Sequence, residues 1–157
     1  MKKIALIILA SLLTISCNTV KSITGSDKKE GVQYRDDFMA ASDAEKKDLL
    51  QKLSAEGSNY SVIILTQNYK GQQIIITDTN KKRLYSEYAV TNLGTGIAAT
   101  LRMDNRLNTT IRDNYTKEET IVEADDAQKH KFIYVKKNPG SKTPYTITYS
   151  NTLRPLE

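Results

Sequence analysis

From Tyr60 onward, apolar residues fall in short runs or at alternate positions, and turn-forming residues interrupt them at regular intervals. Alternation at period two is a strand pattern, whereas one face of a helix repeats at three and four. Residues 62–66 form an apolar run short enough for a buried strand, and Ile74, Ile75 and Ile76 form a second, β-branched one. Leu84, Ser86, Tyr88 and Val90 then alternate against Tyr85, Glu87 and Ala89. Past the loop at 92–96, Ile97, Ala99, Leu101 and Met103 share one face. Weaker strands are expected at 110–112 and 120–124, joined by a turn at 114–117. A last hairpin carries Phe132, Tyr134, Tyr145, Ile147 and Tyr149, and its turn holds Pro139-Gly140, the central pair of a type II turn.

About eight short strands across residues 60–150 predict a mainly β fold, an antiparallel β-sandwich. The continuous run at 62–65 predicts an inner strand covered on both faces, and the alternating run at 97–103 a strand with one wet face. One short amphipathic helix is expected at 42–55. Ser42 and Glu45 make a capping-box pattern, Leu49, Leu50 and Leu53 a narrow apolar stripe, and Gly57 stands where a stop is expected. Such a helix seals one end of the sandwich or the outside of a sheet. Residues 36–157 then form a single domain.

The N-terminus is of another kind. Lys2 and Lys3 precede an apolar stretch from Ile4 to Leu13, and Thr14-Ile15-Ser16-Cys17 follows at once. The stretch is too short to span a membrane, which takes about 20 apolar residues. A charged start, an apolar segment and a small residue before a cleavage point describe an export signal. With the chain's only cysteine at Cys17 and Ser16 before it, the segment resembles a bacterial lipoprotein signal with its lipobox. Thr14 stands where that family prefers leucine, with Leu13 one step earlier. The resemblance implies cleavage between Ser16 and Cys17, removal of residues 1–16 and acylation of Cys17. Residues 17–35, polar and aperiodic, are expected to be a lipidated tether. Asn18 occupies the place where an Asp would signal retention in the inner membrane, so the resemblance implies the outer membrane; no acidic run follows Cys17, as it does in some surface-exported lipoproteins, so the periplasmic face is expected over the cell surface.

Cleavage would leave about 140 residues, enough for one domain with a real core. Loss of Lys2 and Lys3 lowers the formal charge from +5 to +3, which does not argue for a nucleic-acid partner. With one cysteine the chain can make no internal disulfide. A single histidine cannot supply a zinc site, so no metal and no cofactor is expected.

Candidate catalytic groups are few. His130, between Lys129 and Lys131, reads as an exposed strand residue. The acid pairs Asp36-Asp37, Glu118-Glu119 and Asp125-Asp126 read as solvated, since neighbours on a strand point to opposite faces and those in turns face water. Asp125-Asp126 is expected in a turn between two strands. Gly94-Thr95-Gly96 leads into a strand, not a helix, and reads as a tight loop needing positive φ; with Asn92 it is a candidate binding rim. Lys129, Lys131, Lys136 and Lys137 are a candidate cationic surface for an anionic ligand.

The expectation is therefore a lipid-anchored, non-enzymatic envelope module. It would bind another envelope protein or a surface ligand, with the membrane engaged through acyl chains on Cys17. A small inhibitor of a hydrolase such as lysozyme is the alternative, and an unrecognised hydrolase a remoter one.

Overall fold

A computed structural model describes residues 29–156 of the chain. The signal segment, Ser16, Cys17 and the first part of the expected tether lie outside the described residues. Among the described residues the fold is mainly β. Its elements are β1 (Val32–Tyr34), α1 (Asp43–Lys52), β2 (Tyr60–Leu65), β3 (Lys70–Asp78), β4 (Arg83–Val90) and β5 (Ala99–Asp104). There follow β6 (Thr109–Asp113), β7 (Glu119–Val122), α2 (Ala124–Ala127), β8 (Phe132–Lys137) and β9 (Tyr145–Ser150).

The strands form two sheets, a five-stranded one in the order β1-β9-β8-β2-β5 and a four-stranded one in the order β4-β3-β6-β7. Ile63, Leu65, Met103, Ile133, Val135 and Ile147 of the first sheet and Ile74, Ile76, Ala89, Ile111 and Val122 of the second share one buried cluster. The two inner faces therefore close on each other as a sandwich. The expected antiparallel pairing needs correction in the larger sheet, which is mixed: β2 runs parallel to β8, and β1 parallel to β9. Strand β1 is also new. Its three residues lie in the stretch expected to be tether, and they register Val32 with Ile147 and Tyr34 with Tyr149.

β2 has no wet face. Ile63 and Leu65 enter the inter-sheet core, while Val62 and Ile64 enter a second cluster on the outer side with Phe132 and Tyr134. Helix α1 covers that outer side, with Leu49 buried and Leu50 and Leu53 packed against it. Ser42 is the N-cap, its Oγ accepting from the Glu45 N–H at 3.2 Å. The return half of the box is used elsewhere: Glu45 Oε1 accepts from the Leu156 N–H at 2.6 Å and so ties the C-terminal segment to the helix. The stop is not at Gly57. Ser54 takes positive φ of 50°, its N–H donating to the Gln51 carbonyl and that of Ala55 to the Leu50 carbonyl. These two bonds make a Schellman ending three residues earlier.

Two further corrections concern ends of strands. Ile97 precedes β5 and packs with the outer cluster, not on the face of Leu101 and Met103. Asp125 and Asp126 sit in the single turn of α2, between β7 and β8. The type II turn is as expected: Gly140 has φ of +75°, and the Ser141 N–H donates to the Asn138 carbonyl at 3.2 Å.

Candidate binding groove

β8 and β9 send alternate residues to the two faces of the larger sheet. Ile133, Val135, Tyr145, Ile147 and Tyr149 go inward. Tyr134, Lys136, Thr146 and Thr148 face the outer side; Lys136 is exposed and Thr146 half-buried, while Tyr134 and Thr148 are buried at the groove floor, where helix α1 does not cover the whole sheet. The C-terminal residues Arg154, Pro155 and Leu156 rise on one side of the uncovered strip, and the loop carrying Thr95, Gly96 and Ile97 on another. Between them lies an open groove of about 270 Å³.

Its cations are Lys136 and Arg154. Lys136 is exposed, and among the described residues neither forms an ion pair. Arg154 is fixed by aromatic rings: its Cζ lies 3.7 Å from the centre of Phe38 and 4.3 Å from that of Tyr134. Its backbone N–H donates to Tyr134 Oη at 2.9 Å, and that hydroxyl donates to the Thr152 carbonyl at 3.0 Å. Burial lowers the pKa of the guanidinium, yet arginine remains charged in any neutral solution. Its Nε is buried with no hydrogen-bond partner. Phe38 and Tyr134 meet edge to face, with centroids 5.9 Å apart, and the guanidinium packs in the corner they form; so held, it has little rotamer freedom left to lose on binding, and presents a fork suited to a carboxylate or phosphate.

The candidate rim divides. Thr95 and Gly96 line the groove, whereas Asn92 faces the neighbouring cleft with Val90 and Leu93, which Gly96 also borders. Asn92 Oδ1 accepts from the N–H groups of Gly94 at 2.8 Å and Thr95 at 3.2 Å. The Gly96 N–H donates to the Asn92 carbonyl at 2.8 Å, and that of Ile97 to Thr95 Oγ1 at 3.2 Å. The loop thus consumes its own donors. It is a closed turn with Gly96 at φ +70°, and it has no free N–H array to cradle a phosphate.

The four candidate lysines do not form one surface. Lys129 is exposed beside α2. Lys131 Nζ donates to the carbonyls of Gly57 and Tyr60, each at 2.9 Å, and burial, with Lys46 nearby, lowers its pKa. Only Lys136 reaches the groove. Lys137 is no surface residue at all: it is buried between the sheets and paired with Asp113. Strand alternation separates these last two, one out and one in.

His130 also differs from expectation. It precedes β8, is half-buried, and its ring centre lies 5.6 Å from that of Tyr34 and 5.5 Å from that of Tyr149. Its Nδ1 is 2.8 Å from the Asp126 carbonyl oxygen. Among the described residues no nucleophile or carboxylate is in hydrogen-bond contact with the ring, which packs between Tyr34 of β1 and the α2 turn. Among the described residues no cluster of three potential metal ligands occurs, and no helix is long and apolar enough to cross a membrane.

Sequence reasoning missed Arg154, Thr146, Thr148 and Gln33 in the groove wall. The two threonines carried a signal, alternating with Tyr145, Ile147 and Tyr149. Arg154 carried none, because it follows the last strand and its place depends on the aromatic pair that clamps it. Compared with known proteins, the chain matches no family model and no curated protein.

Proposed function

We propose that this chain is a lipid-anchored envelope protein whose β-domain binds, without transforming it, an anionic group in the outer-face groove. The observation that carries the reading is the convergence of Lys136 and Arg154, neither ion-paired among the described residues, on one open concavity beside Thr146 and Thr148. Unpaired cations with hydroxyls alongside suit a carboxylate or a phosphate. The small volume fits one charged group of a larger surface molecule, such as an acidic sugar residue or a lipid headgroup. The lipoprotein resemblance of residues 1–17 supports the setting. Several acyl chains on one cysteine hold a protein firmly, and leave the domain free to capture ligands near the membrane.

Two measurements test this. Intact mass of the membrane-extracted protein should equal residues 17–157 plus acyl groups, and the acyl mass should vanish in Cys17→Ser. For the groove, oligogalacturonate, a neutral oligosaccharide of equal length and phosphatidylglycerol vesicles are titrated against the full chain. Saturable binding of one anionic probe, weakened about tenfold or more in Lys136→Ala and in Arg154→Gln, is expected. Binding of the neutral sugar equal to that of the acidic one, or variants that bind like wild type, would remove the groove from the function.

A further inference from the structure

Lys137 and Asp113 meet in the interior of the sandwich. Lys137 ends β8 in the larger sheet and is 2 % exposed in its side chain; Asp113 ends β6 in the smaller sheet and is 0 % exposed. Lys137 Nζ donates to Asp113 Oδ2. Glu118 Oε2 lies 3.8 Å from the same Nζ, and Glu118 reaches partly to solvent. Burial above all raises the pKa of the Tyr69 and Tyr145 hydroxyls well above the ordinary tyrosine value, and the nearby charge of Asp113 adds to it. A buried ion pair in apolar surroundings is a poor source of stability, since an apolar pair of like volume is often as good or better. The arrangement around this one has the parts of a reaction site.

We propose that Lys137 Nζ and Asp113 Cγ condense into an intramolecular amide that links the two sheets covalently. The amine and the carboxyl are already in contact and largely shielded from water, a placement that makes a bimolecular condensation effectively unimolecular. Asp113 Oδ1 accepts from the backbone N–H groups of Tyr115 at 2.7 Å and Thr116 at 3.0 Å. Two fixed donors on one carboxyl oxygen are an oxyanion hole. Glu118 supplies a proton carrier on the other side of Nζ, its Oε2 also accepting from Thr116 Oγ1 at 2.8 Å.

Burial raises the Asp113 pKa, but the Lys137 bond and the two N–H donors outweigh it, so the resting pair is ionic. Reaction begins when the Nζ proton passes to Oδ2, leaving a neutral amine and a neutral carboxylic acid. Water exclusion favours that transfer, because it disfavours both charges. The Nζ lone pair attacks Cγ, and the Oδ1 oxyanion forms against the N–H groups of Tyr115 and Thr116. Glu118 takes a proton from the now positive nitrogen and returns it to the Oδ2 hydroxyl. The Cγ–Oδ2 bond breaks, Oδ2 leaves as water, and the Cγ–Oδ1 double bond re-forms. The balance is one ammonium and one carboxylate converted to one amide and one water, with no oxidant, reductant or further reactant.

Tandem mass spectrometry of proteolytic peptides from the purified full chain tests this. A branched peptide joining the segments around Asp113 and Lys137, lighter than its two linear parts by one water, is expected in wild type. It should be absent in Lys137→Arg and Asp113→Ala, and at least tenfold less abundant in Glu118→Gln. Wild type that is folded by circular dichroism but yields only linear peptides would overturn the amide and leave an ion pair. That arm needs no variant to fold. A branched peptide equally abundant in Glu118→Gln would overturn the role given to Glu118.

Discussion

Asp36 Oδ1 accepts from Ser150 Oγ at 2.8 Å, from the Asn151 N–H at 2.6 Å and from the Thr152 N–H at 3.1 Å. One carboxylate thus ties the segment after β1 to the end of β9. The Ser150 bond chiefly, then the Asn151 bond, hold its pKa below the ordinary carboxylate range. A group whose folded pKa is depressed contributes stability above its unfolded pKa, about 3.9, and loses it as pH falls through the folded value. Asp36→Ala should therefore lower stability at pH 6 by on the order of 1 kcal/mol, a modest figure because the site is exposed to solvent. The difference from wild type should shrink below pH 3. Urea unfolding at both pH values measures it, and an equal deficit at both would show that the carboxylate charge is irrelevant. Nothing in Asp36-Asp37 distinguishes the two acids by sequence. Yet Asp37 instead pairs with Arg35 at 2.9 Å on the surface, because only Asp36 meets the returning β9 end. Lys136 and Lys137 pose the same problem, as chain proximity grouped two residues that strand alternation sends to opposite faces.

Helix α1 was legible as an element because its start and its stripe are local. Ser42 caps it and Leu49 is buried beneath it. Its end was not legible: a non-glycine residue, Ser54, takes the left-handed position at φ 50° four residues after the expected stripe residue Leu50. The left-handed conformation costs an L-residue roughly 1–2 kcal/mol, while glycine loses more backbone entropy on folding. Ser54→Gly should therefore stabilise the protein by about 0.5–1 kcal/mol in thermal or urea unfolding. A loss of stability would mean that the Ser54 side chain makes a contribution larger than its strain. Eight strands announced themselves by short apolar runs or by alternation, but β1 and α2 did not. β1 is three residues long and exists by pairing with β9, a partner more than a hundred residues away. α2 is one turn, too short for any periodicity to register.

At the scale of the molecule, the sandwich could be read from strand count and from the doubly covered run of β2, whereas strand direction could not. Side chains alternate at period two in parallel and antiparallel pairs alike, so nothing in the β2 or β8 sequence reveals that they run the same way. The parallel crossover has a consequence: it sets Lys137 at the end of β8 opposite Asp113 at the end of β6, residues 24 apart in the chain. An amide there closes a loop of that length and reduces the entropy of the unfolded chain, worth about 3–4 kcal/mol in the chain-entropy account. Glu118→Gln keeps both reacting groups and should lose most of that stabilisation. Two origins of such a loss can be separated by guanidinium chloride unfolding. A lost ionic contact in the folded state lowers the midpoint and leaves the denaturant slope unchanged. A lost cross-link also lets the denatured chain expand, so the slope should rise as the midpoint falls. A lower midpoint at constant slope would assign Glu118 to the ion pair alone. A steeper slope would mean that the two sheets of the wild-type sandwich stay joined after they unfold.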